Sequence, residues 1–356
     1  MSRFHPLKIE EIRRETRDSV SLRLAVPDAL KPQFAFRPGQ YLTLRATIDG
    51  EDIRRSYSIC SGVDDGVLRV GIKKVEGGAF STYANENLKP GDVIEVMPPE
   101  GRFTPSEGQG RHLLGIAAGS GITPILSIAK SALARDAAAR VTLIFGNRTS
   151  LSVMFAEEIE DLKNVYLGRF SVVHLLSREA QDIELLQGRV TGDKIRVLAS
   201  GVIDFADIDE AFLCGPEAMV AEMKAVLPEL GIPAEKIRSE LFTPSEKRKS
   251  FKPKADVAGE ARVVADVTAV LDGKAHRFDL LSSDENIIDA AARAGIDLPY
   301  SCKGGMCCTC RCKVEEGEAE MAINYSLEPW ELEANFVLGC QSLPKTPVLK
   351  VNFDHM

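Results

Sequence analysis

The densest chemistry in the chain lies at residues 300–312, which read YSCKGGMCCTCRC. Cys302, Cys307 and Cys310 follow C-x4-C-x2-C, and 29 residues separate Cys310 from Cys340. Four thiolates at this spacing suit a plant-type [2Fe-2S] centre, in which each iron takes two of them. Gly304 and Gly305 let the loop wrap closely and aim backbone N–H groups at sulfur. A structural zinc ion on the same four thiolates is the alternative. Zinc sites more often pair two short C-x2-C knuckles, and one is present here. Cys308 and Cys312 are left over. A register through Cys308 would read C-x5-C-x-C and fits worse, so both are expected to be small packed residues.

Other residue sets suit nucleotide phosphates. Residues 77–82 (GGAFST) and 119–124 (GSGITP) are glycine turns that open helical stretches. Backbone N–H groups can approach an anion there, helped by the helix dipole. The first would also serve as a plain glycine turn with Ser81 as N-cap. The second follows a buried apolar run and is G-x-G-x-x-P, without the third glycine of the common dinucleotide fingerprint. Residues 54–58 (RRSYS) combine a guanidinium, which clasps phosphate in a fork, with an aromatic face carrying a polar tip. An ordinary alternating strand would look similar.

These residues need elements to hold them. A chain of 356 residues is long enough for two or three domains at roughly 150 residues each. Residues 20–26, 40–46, 68–74 and 92–97 alternate apolar and polar side chains, with Gly, Pro and Asp turns between them. A short helix is expected at 81–88, and the whole segment suggests a small antiparallel barrel. From residue 112 the pattern changes. Strands at 112–117, 141–145, 172–176 and 211–213 alternate with helical stretches at 123–138, 152–162 and 217–230. That is the signature of a parallel sheet with helices on both faces. Residues 245–260 are polar, basic and proline-interrupted, and read as a linker. The last 96 residues mix strands with one helix, at 286–294.

Charge and cysteine usage agree with this division. The net charge is −8, which disfavours a general nucleic-acid binder. Residues 261–356 hold nine basic and 15 acidic side chains, most of the excess, and six of the eight cysteines. No apolar run is long enough to span a bilayer, and the first residues lack a signal-peptide core. A cytoplasmic protein without membrane contact is expected.

With these motifs on the page, the first 245 residues resemble the ferredoxin–NADP reductase family. Residues 261–356 resemble a plant-type ferredoxin, whose fold is an α+β β-grasp. That order resembles the reductase components of multicomponent oxygenases. The resemblance implies an antiparallel β-barrel FAD domain at 1–105, an α/β parallel-sheet NAD(P) domain at 106–244 and a [2Fe-2S] domain at 261–356. It implies that Arg55 pairs with the FAD pyrophosphate beside Ser56, that Tyr57 packs on the flavin and that Ser58 hydrogen-bonds near flavin N5. Gly78, Ala79, Phe80, Ser81 and Thr82 form the second flavin element, and Gly71, Ile72 and Lys73 lie beside the diphosphate or adenosine.

For the nicotinamide nucleotide the resemblance implies Gly119, Gly121, Thr123 and Pro124 at the pyrophosphate. Cys214, Gly215, Pro216 and Met219 (from CGPEAM) would stand near the nicotinamide, although Cys214 would also pass as a small buried residue. Ser177 and Arg178 suit the 2′-phosphate of NADPH, with Arg148 and Arg189 as further candidates and NADH as the other possible donor. Phe242 matches an aromatic that shields the flavin, and Glu240 a carboxylate near it. Ser58, Cys214, Glu240 and Phe242 are thus the expected catalytic group. Electrons would pass from NADPH through FAD and the cluster to a protein acceptor. Residues 324–328 (NYSLE) and 337–341 (VLGCQ) look most similar to the reductases of di-iron oxygenases that act on a CoA thioester. The other readings are a reductase for an aromatic-ring, alkane or steroid oxygenase, and a redox-sensing flavo-iron–sulfur protein.

Overall fold

Alternation builds the first sheet. In β1 (His5–Thr16) Leu7 and Ile9 are buried while Lys8 and Glu10 face solvent. A register shift between Ile9 and Glu11 breaks the strict period of this charged strand, which is why the sequence pattern does not reveal it. The computed structural model describes residues 4–242 and 262–355, and the chain divides into two compact units, Met1–Ser245 and Glu246–Met356. The linker expected at 245–260 lies outside the described residues.

In the first unit β1 joins β2 (Ser19–Ala25), β3 (Tyr41–Ile48), β4 (Glu51–Ser58), β5 (Leu68–Lys73) and β6 (Val93–Val96). Their order is β4-β3-β6-β1-β2-β5, antiparallel throughout. Just past β4, Ile59 bridges Val70 of β5, and Cys60 N–H donates to the Arg69 carbonyl at 2.8 Å. This contact between the two edge strands closes the sheet into a barrel. Helix α1 (Ala79–Glu86) adds Phe80 and Ala84 to the barrel core.

The same unit contains a second sheet of five parallel strands: β7 (His112–Ala118), β8 (Arg140–Asn147), β9 (Phe170–Leu176), β10 (Glu210–Gly215) and β11 (Ile237–Leu241). Their order is β11-β10-β7-β8-β9. Neighbours fan out to both sides of β7, so a crevice opens at the carboxyl ends of β7 and β10, where ligands of such sheets bind. Helices α2 (Ile122–Arg135), α3 (Ala156–Val165), α4 (Gly192–Ala199) and α5 (Glu217–Glu229) complete the layers.

Several expectations are corrected here. The helix expected at 152–162 starts at Ala156, because Phe155 takes a left-handed conformation (φ 58°) that sends its ring into the core. The helix expected to reach residue 138 ends at Arg135, where Asp136 turns extended. α4 and β11 have no counterpart among the elements expected from sequence.

In the second unit β12 (Val263–Leu271), β13 (Lys274–Leu281), β14 (Arg311–Glu316), β16 (Phe336–Leu338) and β18 (Val348–Asn352) form a mixed sheet ordered β13-β12-β18-β14-β16. The pair β12–β18 is parallel and the others antiparallel. β15 (Ala319–Met321) and β17 (Ser342–Pro344) make a separate ribbon. Helix α6 (Ile287–Arg293) buries Ile287, Ile288, Ala290 and Ala291 in the apolar core shared with this sheet, and Asn286 caps it by accepting the Asp289 N–H at 3.0 Å. The single helix expected here is joined by a second, α7 (Pro329–Glu333), started by proline and a Glu328–Glu331 capping box. Among the described residues no helix is long and apolar enough to cross a membrane.

Candidate functional site

Three elements of the first unit converge on one point. Ser58, at the end of β4, donates to Glu240 Oε2 at 3.4 Å. Glu240, in β11, stands opposite Cys214 of β10 in the parallel register. Phe242, just past β11, packs against the apolar cluster that includes Cys214 and Ile122. The structure therefore brings together Ser58, Cys214, Glu240 and Phe242 from positions far apart in sequence. Burial pushes the Glu240 carboxyl up to about 7, with the Ser58 hydrogen bond pulling the other way. Burial, then the Glu240 carboxylate, pushes the Cys214 thiol well above its usual range. Cys214 is thus a neutral, compact wall group at ordinary pH and no thiolate nucleophile.

The barrel side of this point has the features a flavin nucleotide needs. Arg54 is buried, pairs with Asp52 at 3.1 Å and lies over the Phe4 ring. Arg55 points to solvent and holds no ion pair among the described residues, with one N–H on the Arg54 carbonyl at 2.7 Å. Of the two adjacent arginines, Arg55 is the one that could clasp a diphosphate. Tyr57 packs on Phe80 with ring centroids 5.5 Å apart, and burial pushes its phenol up. Ser56, on the same strand, is half-buried with its hydroxyl 3.5 Å from that of Thr43.

Helix α1 starts at Gly78 with no side-chain cap, so its first N–H groups could receive a phosphate. Ser81 is not the N-cap. It lies inside the helix, where its hydroxyl accepts the Val75 N–H at 3.0 Å and donates to the Gly78 carbonyl at 3.2 Å, fixing the turn. Phe80 faces the core, whereas Ala79 is exposed and Thr82 half-exposed. Ile72 is wholly inside the barrel and can offer a cofactor its backbone alone, and half-buried Lys73 stands 3.7 Å from Asp18. At Gly71 a Cβ would meet Thr123 Cγ2 at 2.7 Å and Phe155 Cζ at 2.9 Å, so the glycine lets barrel and parallel sheet approach.

The parallel sheet holds the second nucleotide cradle. β7 runs into Gly119 (φ 56°) and Gly121, and a Cβ on Gly121 would collide with the Cys214 carbonyl. α2 then begins without a side-chain cap. Thr123 is turned back onto the Ser120 carbonyl at 3.0 Å, and Pro124 is buried. Gly215 and Pro216 lead from β10 into α5, and a Cβ on Gly215 would press on Met219 Cε at 2.7 Å and Ala118 Cβ at 3.2 Å. At the neighbouring strand ends, Ser177 N–H and Oγ both donate to the Asn147 carbonyl, at 2.9 and 3.2 Å. Arg178 N–H donates to the Arg148 carbonyl at 2.7 Å, which sets these two arginines side by side. The segment carrying Arg189 returns to the same edge, with Gly188 N–H on the Leu176 carbonyl at 2.8 Å. Arg148, Arg178 and Arg189 are exposed, and none forms an ion pair among the described residues. Glu179 is occupied by the N–H and hydroxyl of Ser150, at 2.8 and 2.9 Å, and offers no carboxylate for a ribose.

In the second unit the four cysteines of the C-x4-C-x2-C…C set stand as two pairs. The neighbouring Cys307 thiol favours the charged form of the Cys302 sulfur and holds it well below its usual range, with further help from the N–H groups of Gly304, Met306 and Cys307. Cys310 likewise lowers the Cys340 thiol, whose sulfur is also favoured in its charged form by Gln341 and by the Gly305 N–H. Gly304 N–H lies 3.3 Å from Cys302 Sγ, and Cys302 N–H 3.5 Å from Cys307 Sγ. Among the described residues no three His, Cys, Asp or Glu side chains converge on a point suited to one ion. Two thiol pairs ringed by N–H donors suit two bridged irons better than one tetrahedral zinc.

Two contributions are not visible in the sequence. Gln341 donates to the Lys303 carbonyl at 2.9 Å, tying the 3-10 turn that holds Cys340 (Gly339–Gln341) to the cysteine loop. Cys308 is not simply packed: its thiol donates to Ser326 Oγ at 3.0 Å. Adjacency to a ligand is the one signal in the residue string for both. Cys312 is wholly buried, as expected.

Barrel, parallel sheet and cysteine domain together define a class: an oxidoreductase with FAD-binding, pyridine-nucleotide-binding and [2Fe-2S] domains. Family models match in that order: an oxidoreductase FAD-binding domain at residues 6–104, an oxidoreductase NAD-binding domain at 116–225 and a 2Fe-2S iron-sulfur cluster binding domain at 269–345. The chain is 45% identical to one of the subunits of the 1,2-phenylacetyl-CoA epoxidase of Escherichia coli (strain K12), over 99% of both chains. It is 37% identical to the ferredoxin reductase component of the 3-ketosteroid-9-alpha-monooxygenase of Rhodococcus rhodochrous, over 99% of this chain and 97% of that one. The solved structure of phthalate dioxygenase reductase shares its fold, with a TM-score of 0.57 and 21% identity over 98% of each chain. The chain belongs to the family of reductase components of oxygenases, and its partners are a pyridine nucleotide and an oxygenase or ferredoxin.

Proposed function

We propose that this chain takes electrons from NADPH and delivers them, in the cytoplasm, to a di-iron oxygenase that acts on phenylacetyl-CoA. The observation that carries the acceptor is the full-length likeness to a phenylacetyl-CoA epoxidase component. When bound, FAD accepts a hydride and releases electrons one at a time, and a [2Fe-2S] cluster carries single electrons onward. The residues divide that work. Arg55 and the open first turn of α1 would hold the FAD diphosphate. Gly119, Gly121 and the start of α2 hold the nucleotide pyrophosphate. Gly121 has no side chain between that turn and Cys214, so the nicotinamide ring can lie over β10 against Ser58 and Glu240. Phe242 would shield the flavin where the nicotinamide must dock. Cys302 and Cys307, with Cys310 and Cys340, would hold the cluster.

The preference for NADPH rests on Arg178, Arg148 and Arg189, exposed and without an ion-paired carboxylate among the described residues. Charge-assisted hydrogen bonds contribute roughly 1.5–3 kcal/mol each. Arg178→Ala should therefore raise the KM for NADPH by about 10- to 100-fold while leaving that for NADH near its starting value. Steady-state kinetics with both donors measures this, and equal changes for the two would show that Arg178 does not read the phosphate. The acceptor is tested by mixing the purified chain with the oxygenase component of a phenylacetyl-CoA epoxidase, NADPH and oxygen. Epoxide formation dependent on the chain is expected. No product there, with turnover of a ketosteroid oxygenase instead, would overturn the assignment.

A further inference from the structure

The cysteine loop contains one thiol that the four-ligand set leaves unused, and it sits in a costly place. Cys308 has φ 58°, a left-handed conformation that side chains avoid by roughly 1–2 kcal/mol and glycine adopts freely. Backbone geometry therefore gives no reason for a side chain at this position. Its contacts do. Cys308 Sγ donates to Ser326 Oγ at 3.0 Å, and Ser326 Oγ donates in turn to the Gly305 carbonyl at 3.2 Å. Tyr325 N–H reaches the same carbonyl at 3.1 Å. The segment that supplies these groups is itself held rigid, because Asn324 Oδ1 accepts the N–H groups of Ser326 (3.1 Å) and Leu327 (2.8 Å).

The Gly305 carbonyl and the Met306 N–H belong to one planar peptide group and point in opposite directions. Fixing the carbonyl on one side turns the N–H to the other, and the Met306 N–H is one of the backbone groups that favour the charged form of the Cys302 sulfur. We propose that Cys308 and Ser326 are positioning residues for the cluster: a thiol–hydroxyl–carbonyl relay that holds the Met306 N–H on Cys302 and so raises the cluster's reduction potential. The physical reason is charge. Reduction adds an electron to a cluster already carrying thiolates, and an N–H donor on sulfur stabilises the reduced form more than the oxidised one. The inference rests on the four-cysteine assignment above.

The test is a potentiometric titration of the full-length holoprotein, followed by visible absorption and by the EPR signal of the reduced cluster. Ser326→Ala should lower the potential by the equivalent of a threefold to tenfold change in the one-electron equilibrium, up to about 59 mV. Cys308→Ala should lower it less, because the Ser326 hydroxyl remains. Cys308→Ser keeps a donor in place and should stay at the parental value. Loss of the cluster from Cys308→Ala but not from Cys308→Ser would also count for the relay. Unchanged potentials in both alanine variants would overturn it, as would a Cys308→Ser potential as low as that of Cys308→Ala. Absence of acid-labile sulfide from the unaltered chain is distinguishable from these results, and would overturn the four-cysteine assignment and the relay with it.

Discussion

A chain ended after Ser245 should still oxidise NADPH with ferricyanide at a rate within about twofold of the full-length protein, yet lose nearly all transfer to the oxygenase. The apolar cores explain the first half of this expectation. Three clusters, in the barrel and on the two faces of the parallel sheet, draw every member from residues at or before Phe242. A fourth, in the second unit, draws all of its members from Ala265 onward. Each unit thus keeps the apolar contacts that stabilise it when the other is removed. The second half follows from the chemistry. Ferricyanide can take electrons from flavin directly, whereas the proposed exit to the oxygenase is the cluster. Ferricyanide activity is read by absorbance and oxygenase coupling by product formation. Oxygenation by the shortened chain at the full-length rate would mean that the cluster is off the electron path.

Ser58→Ala and Glu240→Gln should each slow flavin reduction by NADPH about 10- to 100-fold, the effect of losing one strong oriented hydrogen bond at the reacting ring. Stopped-flow reduction under anaerobic conditions measures it, and parental rates in both variants would remove these residues from the reaction. Glu240→Gln carries a second expectation. Burial raises the carboxyl from 4.5 to about 7. Between those values the folded state keeps a proton that the unfolded state has released, so unfolding releases that proton and stability falls as pH rises. The contribution is complete below the unfolded value and lost as pH passes the folded one, on the order of 3 kcal/mol across the window. Urea unfolding at several pH values should show this slope in the parent and a flatter curve in Glu240→Gln. Equal slopes would show that Glu240 does not hold the proton.

What could be read from the residue string was local in character. The C-x4-C-x2-C spacing, the two glycine turns and R-x-Y-S are short patterns, and the bonds they imply lie within a few residues. Periodicity carried the change from antiparallel to parallel architecture for the same reason, since alternating burial in β6 and the apolar run of β7 are properties of single strands. β1 was missed because its bulge breaks the period and its exposed face is heavily charged. The start of α3 was misread because the left-handed turn at Phe155 is stabilised by burial of its ring, a long-range effect. The meeting of Ser58 with Glu240 needs strand β4 and strand β11 to close around one crevice, across 182 positions of sequence. No spacing rule contains that distance. The division of labour between Arg54 and Arg55 likewise depends on which of two neighbours faces Phe4 and Asp52. Cys308 is the sharpest case: its type looked incidental beside the ligands, and its meaning comes from Ser326, a residue that folding alone brings within 3.0 Å.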